Sequence, residues 1–282
     1  MPELPEVETV RVRLEPKLVG RRFQRVEIFD PRLTRPFDPA GVAAELEGER
    51  VVAVDRRGKY LVVRFESGRV LLIHLRMTGN LLHRNGDSPA DEDDDRHRRA
   101  VVRLDDGSDV VYRDMRRFGT WLLAEGDELE PYLGDRIGRE PLTRSFTAKR
   151  LGEVLAGRRT PAKAALLDQR RLAGVGNIYA DEALWRARIH PLRPAGELDE
   201  AELRALHRAI RGALRAGIDR QGASLRNYRT PDGSRGRMQD EFRVYGREGE
   251  PCERCGTPIE KIRAAGRGTY YCPSCQRRAP MV

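Results

Sequence analysis

Four cysteines near the end of the 282-residue chain have the spacing of metal ligands. Cys252, Cys255, Cys272 and Cys275 form two C-x2-C pairs separated by sixteen residues, and the chain has no other cysteine. Four thiolates on two tight turns match a tetrahedral zinc site with no open coordination position, so we expect one structural Zn²⁺ ion. Two disulfides are the alternative, which a cytoplasmic chain without a secretory signal disfavours. The segment is therefore expected to need its metal to fold.

The first ten residues, "MPELPEVETV", raise a second chemical possibility. Removal of Met1, which is normal before a small residue, would leave Pro2 with a free secondary amine. An α-amino group titrates near pH 8, so a useful fraction is neutral and nucleophilic at physiological pH. Glu3 could then transfer protons, and Glu6 could orient the pair. On composition alone, a plain helix start remains the favoured interpretation, because Pro and Glu are both common there.

The net charge of +9 is unevenly distributed. Residues 1–150 contain 28 Lys and Arg against 28 Asp and Glu, whereas residues 151–282 contain 25 against 16. A basic half indicates a polyanion such as nucleic acid, with simple solubility as the alternative. The longest apolar stretch, Val70 to Leu75, is too short to span a bilayer, and the start lacks the pattern of a signal peptide. We expect a cytoplasmic protein without membrane contact.

The hydrophobic pattern predicts one helix followed by antiparallel strands. Val7, Val10, Leu14 and Leu18 repeat at helical spacing. β-rich runs follow, broken at "RRGK", "ESGR" and "DDGS", and "FGTWLLA" supplies a further strand. These elements predict a sandwich or a barrel up to about residue 130. The acidic loop 87–95 is expected to be a solvated insertion rather than a metal site.

The second half has helical patterns. A linker is expected from Glu130 to Phe146 because turn residues are frequent there and periodicity is missing. The helical segments are "TAKRLGEVLAG", "PAKAALLDQ", "GVGNIYADEALWRARI" and "DEAELRALHRAIRGALRAGI". The expected domains are residues 1–130, a linker 131–146, a helical region 147–240 and a zinc segment 241–282.

Seven strings, in order along nearly the whole chain, resemble those of the bacterial formamidopyrimidine-DNA glycosylases, relatives of endonuclease VIII. They are "MPELPEVETV", "RRGKYL", "HLRMTG", "DMRRFG", "GVGNIYADEAL", "VYGREGEPC" and the four-cysteine segment. "PELPE" is typical of the formamidopyrimidine branch, since endonuclease VIII usually has Gly in place of Leu4. The resemblance implies a multidomain α+β fold: an N-terminal antiparallel β-sandwich with an N-terminal helix, a helix–two-turn–helix domain with a lesion-capping loop, and a C-terminal zinc ribbon.

The same resemblance implies a bifunctional DNA glycosylase/AP lyase of base excision repair. It would excise 8-oxoguanine and formamidopyrimidines from duplex DNA through a Schiff base on Pro2, assisted by Glu3, and then cleave the strand by β,δ-elimination. The implied partner is double-stranded DNA with an oxidised base, bound by a monomer at the bacterial nucleoid. The alternatives are an endonuclease VIII-like enzyme for oxidised pyrimidines and a non-catalytic nucleic-acid-binding protein. Intact Pro2, Glu3 and Lys59 disfavour the latter.

The resemblance also assigns the residues that would contact DNA. A base must leave the duplex before its C1′ atom can be attacked, so side chains are needed to fill the vacated stack. That role falls on Met77, Arg116 and Phe118. The residues assigned to the clamp around the damaged nucleotide are Lys59, His74, Asn177 and Arg267. Lys59 is also grouped with Pro2 and Glu3 as a catalytic residue, and Lys163 is expected to be a further contact near the lesion.

Three positions near these residues depart from the common pattern of the family. Arg76 and Thr78 stand where many relatives have Gly and Ser, and Met115 stands where Pro is common. The polar segment from Gly222 to Arg237 is expected to close over the extruded base. It continues into "MQDEF", which departs from the commoner aromatic-containing form of the family. Lesion preference is therefore the property least constrained by these strings.

Overall fold

A computed structural model describes residues 1–85 and 96–278 of the chain. The acidic loop 87–95 lies outside the described residues. The chain forms two compact units. Unit 1 contains residues 1–134 together with the segment Arg220–Arg237, and unit 2 contains Asp135–Asp219 together with the residues from Met238 onward. The capping segment predicted from the sequence thus packs with the N-terminal part of the chain.

Unit 1 begins with helix α1, Leu4–Leu18, as the hydrophobic spacing predicts. Glu3 is the N-cap, and the backbone N–H of Glu3 donates to the carboxylate of Glu6 at 2.8 Å in a capping box. The apolar face of α1 is completely buried at Val7, Val10 and Leu14. Gly20, with φ of 85°, follows the last turn and lets the chain reverse.

Eight strands follow α1 and form two four-stranded antiparallel sheets, in the orders β1-β6-β7-β5 and β2-β3-β4-β8. The turns at "RRGK", "ESGR" and "DDGS" each connect two paired strands, as predicted. The strands are β1 Phe23–Ile28, β2 Val51–Arg57, β3 Tyr60–Phe65, β4 Val70–His74, β5 Gly79–Arg84, β6 Arg98–Leu104, β7 Asp109–Asp114 and β8 Thr120–Ala124.

Both sheets and α1 bury side chains in one apolar core, so the predicted sandwich is confirmed and the barrel is excluded. The core includes Val63 of one sheet and Val102 of the other, and the rings of Phe23 and Phe65 meet edge to face at 5.3 Å. Leu14 brings α1 into the same cluster. The N-terminal residues therefore stand on a helix that is anchored along most of its length.

Two helices of unit 1 were not predicted. Helix α2, Pro39–Leu46, is capped by Asp38, whose carboxylate accepts the Gly41 N–H at 2.9 Å. Helix α3, Leu129–Gly134, occupies the beginning of the stretch that was expected to be an irregular linker. It is only six residues long, so its sequence carries too little periodicity to reveal it.

Unit 2 is helical apart from one hairpin. The Thr147 side chain accepts the Arg150 N–H at the start of α4, and Gly217 of α7 packs on the ring of Tyr179 in α6. No helix among the described residues is long and apolar enough to cross a bilayer. The elements are α4 Ala148–Leu155, α5 Ala162–Leu167, α6 Asn177–Ala187, α7 Glu200–Asp219, β9 Glu260–Ala264 and β10 Arg267–Tyr271.

Candidate active site and nucleic-acid contacts

The N-terminal residues of unit 1 are buried and held by one carboxylate. Pro2 is buried, and Glu3 and Glu6 are each 2% exposed. One oxygen of Glu6 accepts the Glu3 N–H, and the other accepts the Ala223 N–H at 2.8 Å. The Tyr228 hydroxyl donates to the backbone oxygen of Glu6 at 3.2 Å. Glu6 therefore connects the start of α1 to the segment Arg220–Arg237. Pro2 and Glu3 do stand at a helix start, and this position is compatible with the catalytic interpretation.

Lys59 and His74 lie at one end of the second sheet. The cross-strand partner of His74 is Tyr60, the residue after Lys59, and the two rings meet edge to face at 4.7 Å. The His74 Nδ1 atom accepts the Arg76 N–H at 2.9 Å. Burial, reinforced by the charges of Arg76 and Lys59, lowers the pKa of His74 to about 3. The imidazole is therefore neutral at physiological pH and carries its proton on Nε2, as a hydrogen-bond donor.

The turn that presents Lys59 is tied to α1 by an ion pair. The Arg56 Nε atom lies 2.9 Å from a Glu8 carboxylate oxygen, and the Arg56 guanidinium also donates to the Gly58 carbonyl at 2.8 Å. Because the Arg56 side chain is only 11% exposed, this link is shielded from solvent. The helix that begins directly after Pro2 and Glu3 is thus linked to the turn that carries Lys59.

The three residues expected to fill the base stack stand on two turns of unit 1. Met77 is partly exposed in the turn 75–78, between β4 and β5. Arg116 and Phe118 are exposed in the turn 115–119, between β7 and β8, and the Arg116 guanidinium lies 4.7 Å from the centre of the Phe118 ring. An exposed Phe and a cation stacked on it have the character of a wedge rather than of core residues.

Asn177 and Arg267 lie close together in unit 2. Asn177 is the first residue of α6, where backbone N–H groups lack helical acceptors and attract anions. The Asn177 side-chain amide donates to the Gly268 carbonyl at 3.1 Å and to the Tyr245 hydroxyl at 3.4 Å. Arg267 precedes Gly268 at the start of β10 and is exposed. Tyr245 was missed at the sequence level, although it stands in the recognised string "VYGREGEPC".

Lys163 does not have the position expected of a DNA contact. Its side chain is 0% exposed, and its ammonium lies 2.8 Å from Asp181 and donates to the Gly268 carbonyl and the Thr269 hydroxyl. Burial raises the pKa of Asp181 to about 7, although the charge of Lys163 opposes this shift. Lys163 therefore joins α5, α6 and the ribbon hairpin, and its contact with DNA stays a prediction.

Glu182, the residue after Asp181 in "GVGNIYADEAL", is a second buried carboxylate. Glu182 is completely buried, and it accepts the backbone N–H groups of Arg243, Val244 and Tyr245 at 3.0 to 3.1 Å. Burial raises the pKa of Glu182, while these three donors act in the opposite direction. The residue fixes the chain that carries Tyr245. Its only signal in the sequence is its place beside Asp181 on a helix that is otherwise apolar at these positions.

The four cysteines meet the geometric requirement for zinc. All four Sγ atoms lie within 4.8 Å of one another, and the pairs Cys255–Cys272 and Cys255–Cys275 are 3.5 Å apart. Tetrahedral thiolates at about 2.3 Å from zinc are themselves about 3.8 Å apart. None of the four is in a disulfide. The donor set fits one structural Zn²⁺, as the spacing predicts.

Comparison with known proteins agrees with this arrangement. Residues 1–121 match the model of the formamidopyrimidine-DNA glycosylase N-terminal domain, residues 137–229 match that of its H2TH domain, and residues 249–278 match a zinc finger found in FPG and IleRS. The chain belongs to the formamidopyrimidine-DNA glycosylase family. It is a DNA glycosylase of base excision repair, and AP lyase activity and specificity for oxidised purines are typical of the family.

Named relatives are similar over nearly the whole chain. The formamidopyrimidine-DNA glycosylase of Symbiobacterium thermophilum is 50% identical, covering 98% of this chain and 89% of its own length. That of a Roseiflexus species is 48% identical, covering 98% and 100%. These matches favour the catalytic prediction over a non-catalytic binding protein.

Solved structures of the Lactococcus lactis enzyme are also similar. A mutant of that enzyme in complex with Fapy-dG-containing DNA has a TM-score of 0.90 and 40% identity, and the match covers 98% of this chain and 100% of the other. A complex with DNA containing an abasic site has a TM-score of 0.89 and 39% identity, with the same coverage. The fold predicted from the sequence is thereby confirmed.

Proposed function

We propose that the chain excises 8-oxoguanine and formamidopyrimidines from duplex DNA by attack of the Pro2 amine. The observation that carries this proposal is the buried Pro2–Glu3 pair at the start of α1. Glu6 accepts the Glu3 N–H and, with its other oxygen, the Ala223 N–H of the capping segment. A nucleophile and an adjacent carboxylate, both fixed by packing, satisfy the geometric requirement for nucleophilic catalysis assisted by an acid.

Each step can be assigned to a group of this chain. The Pro2 nitrogen attacks the deoxyribose C1′ atom, and the bond from C1′ to the base breaks with its electron pair going to the base, which takes up a proton. Glu3 protonates the ring oxygen as the sugar opens to an iminium ion. The iminium acidifies the C2′ proton, so that the 3′-phosphate and then the 5′-phosphate are eliminated. Water finally hydrolyses the iminium and frees Pro2.

The nucleophile requires that the first peptide bond be cut. While Met1 is attached, the Pro2 nitrogen belongs to an amide and has no lone pair available for attack. Met1 is 44% exposed, which supports access by an aminopeptidase. α-Amino groups in general titrate near pH 8, so a neutral fraction of the nucleophile is expected at physiological pH.

DNA contacts are proposed in both units. The Nε2–H group of neutral His74 and the ammonium of Lys59 would donate to phosphates from unit 1, and Asn177 and Arg267 would do so from unit 2. Met77, Arg116 and Phe118 would occupy the stack that the extruded base leaves. The proposed domains are the β-sandwich domain 1–130, a linker 131–146, the helical domain 147–240 and the zinc segment 241–282. The proposed form is a monomer acting on chromosomal DNA in the bacterial cytoplasm.

Borohydride trapping tests this mechanism. With a duplex containing 8-oxoguanine opposite cytosine, the native chain should form a covalent adduct. A chain with two residues added before Pro2 should form none, because its Pro2 nitrogen stays in a peptide bond, while the rest of the chain is unchanged. Glu3→Gln should lose base excision and still form an adduct at a pre-formed abasic site. No adduct with the native chain would overturn the proposal.

A further inference from the structure

The two turns that carry the stack-filling residues emerge from neighbouring strands. In the pairing of β5 with β7, Gly79 is directly opposite Asp114. Gly79 follows the turn 75–78, and Asp114 precedes the turn 115–119. Met77, Arg116 and Phe118 therefore come from two separate turns that meet at one end of the same sheet.

A single buried carboxylate connects the two turns. Asp114 is 1% exposed, and its Oδ1 atom accepts from the Thr78 hydroxyl and from the Arg116 N–H at 3.2 Å. Its Oδ2 atom accepts the N–H groups of Phe118 at 2.9 Å and Gly119 at 2.7 Å. All four donors are neutral groups of the turns themselves, so the charge is compensated only while both turns keep this conformation.

The backbone of both turns is strained, which shows that the surroundings impose their conformation. Arg76 has φ of 50° and Arg117 has φ of 59°, in the left-handed region that favours glycine. The Arg117 guanidinium is held by Asp30 at 2.6 and 2.9 Å. Left-handed residues in two adjacent functional turns need fixed contacts to persist.

Tyr112 adds a second constraint below the same turns. A Cβ atom on Gly119 would lie 1.6 Å from the Tyr112 hydroxyl oxygen, and one on Gly79 would lie 2.5 Å from it. Both glycines therefore let the turns settle directly on Tyr112, two residues before Asp114 on β7. The position of the turns is fixed by backbone packing as well as by hydrogen bonds.

We propose that Asp114 is the positioning residue of the stack-filling apparatus. By bonding Thr78, next to Met77, and the backbone of Arg116 and Phe118, it sets both turns in the geometry that replaces an extruded base. Its loss should slow base extrusion. The Arg116 guanidinium, once in the stack, can donate hydrogen bonds to the partner base that extrusion leaves unpaired, so the loss should also weaken any preference for that base. This inference rests on the proposed function, since it assumes that these three side chains enter the duplex.

The variant Asp114→Asn tests the inference because it changes the hydrogen bonds of the side chain and hardly changes its volume. The amide nitrogen that replaces one carboxylate oxygen cannot accept a hydrogen bond. We expect single-turnover excision of 8-oxoguanine from duplex DNA to fall about 10- to 100-fold, the factor for one or two lost bonds to a charged acceptor. Cleavage of a pre-formed abasic site in single-stranded DNA, which has no stack to fill, should change less than about threefold. The ratio of excision opposite cytosine to excision opposite adenine should move toward one.

Milder variants guard against a general loss of folding. Thr78→Val removes one donor to Asp114 and should give the same pattern with a smaller effect, whereas Thr78→Ser keeps the hydroxyl and should behave as the native chain. Asp109→Asn is the matched control at the other end of β7, where the carboxylate pairs with Arg103 outside this cluster. It should leave all three readouts unchanged.

Two results would overturn the inference. One is an equal loss of duplex excision and single-strand cleavage in Asp114→Asn, with an unchanged opposite-base ratio, which would make Asp114 a residue of general stability. The other is no change at all in either Asp114→Asn or Thr78→Val. Failure of the proposed function is recognised separately: the native chain would form no borohydride adduct, or Phe118→Ala would leave duplex excision unaffected.

Discussion

Two motifs of the molecule, one in each unit, bury their carboxylates in different ways. In unit 1, "DMRRFG" exposes Arg116 and Phe118 and buries Asp114, whose four donors are all neutral. In unit 2, "GVGNIYADEAL" buries Asp181 against the charge of Lys163. The first carboxylate shapes two turns of a sheet that has its own core. The second joins helices α5 and α6 to the ribbon hairpin.

The difference follows from the size of the parts. The turns of unit 1 belong to a sandwich of eight strands, and local hydrogen bonds and packing on Tyr112 fix them there. The ribbon of unit 2 has two strands of five residues, which cannot bury a core alone. It depends on zinc, on a small cluster around Trp185, and on the buried ion pair. Polar residues in a motif can therefore serve assembly rather than ligand contact.

The largest difference between the two units is expected when zinc is removed, because only unit 2 should lose structure. The chain has two tryptophans, Trp121 in the core of unit 1 and Trp185 packed beside Cys252 and Cys272 in unit 2. Structural zinc contributes about 10–16 kcal/mol in small zinc domains, so chelation should unfold the ribbon and abolish DNA binding. In Trp121→Phe, the remaining emission should shift to the red on chelation.

The matched control is Trp185→Phe, whose remaining Trp121 reports unit 1. Its emission should not change when the metal is removed. If chelation left the Trp185 signal and DNA affinity intact, the ribbon would be stable without metal. If chelation shifted the Trp121 emission as much as the Trp185 emission, unit 1 would depend on zinc as strongly as unit 2, which would contradict the proposed difference between them.

Lys163→Met tests whether the buried ion pair supports assembly. Removing the ammonium leaves Asp181 buried without its partner, which should cost about 3–5 kcal/mol. The loss should appear in urea unfolding followed by Trp185 fluorescence. Adding Asp181→Asn to Lys163→Met should recover part of it, and Lys149→Met, at an exposed position of α4, should be neutral. Weaker DNA binding with unchanged stability would instead support Lys163 as a DNA contact.

An effect confined to acidic pH is expected at His74. The pKa of His74 is about 3 in the folded chain, below its ordinary value of 6.5, so the folded state binds fewer protons than the unfolded state between these limits. The stabilisation is complete above pH 6.5 and is lost as pH falls through this range, by about 5 kcal/mol in all.

The pH effect can be measured in two ways. The His74 imidazole should show no NMR titration between pH 5 and 8, and the melting temperature of His74→Gln should depend less on pH below 6.5 than that of the native chain. A His74 midpoint near pH 6.5 would mean that the side chain is solvated and charged when it meets a phosphate.

Much of the fold was predictable because its signals are local. The spacing of Val7, Val10 and Leu14 predicted α1, and the two C-x2-C pairs predicted the metal site. Helix α2 was missed because it is short and follows "DPRLTRPFD", a stretch with the composition of a loop.

The residues that position the site were harder to predict. Some of them contact residues that are distant in sequence, as Asp114 does with Thr78 and Tyr245 with Asn177. Glu182 instead accepts backbone N–H groups, which any residue could supply. The resemblance to the family assigned Lys163 to DNA, and no local feature of the sequence reveals its burial beside Asp181.

The most direct test of the account is to locate the covalent bond formed with DNA. A borohydride-trapped complex with an 8-oxoguanine duplex should be digested with protease and nuclease, and the modified peptide sequenced by mass spectrometry. The account predicts that the sugar remnant is on the nitrogen of Pro2, in a peptide that lacks Met1. A remnant on Lys59 or any other lysine, or an active chain that retains Met1, would contradict it.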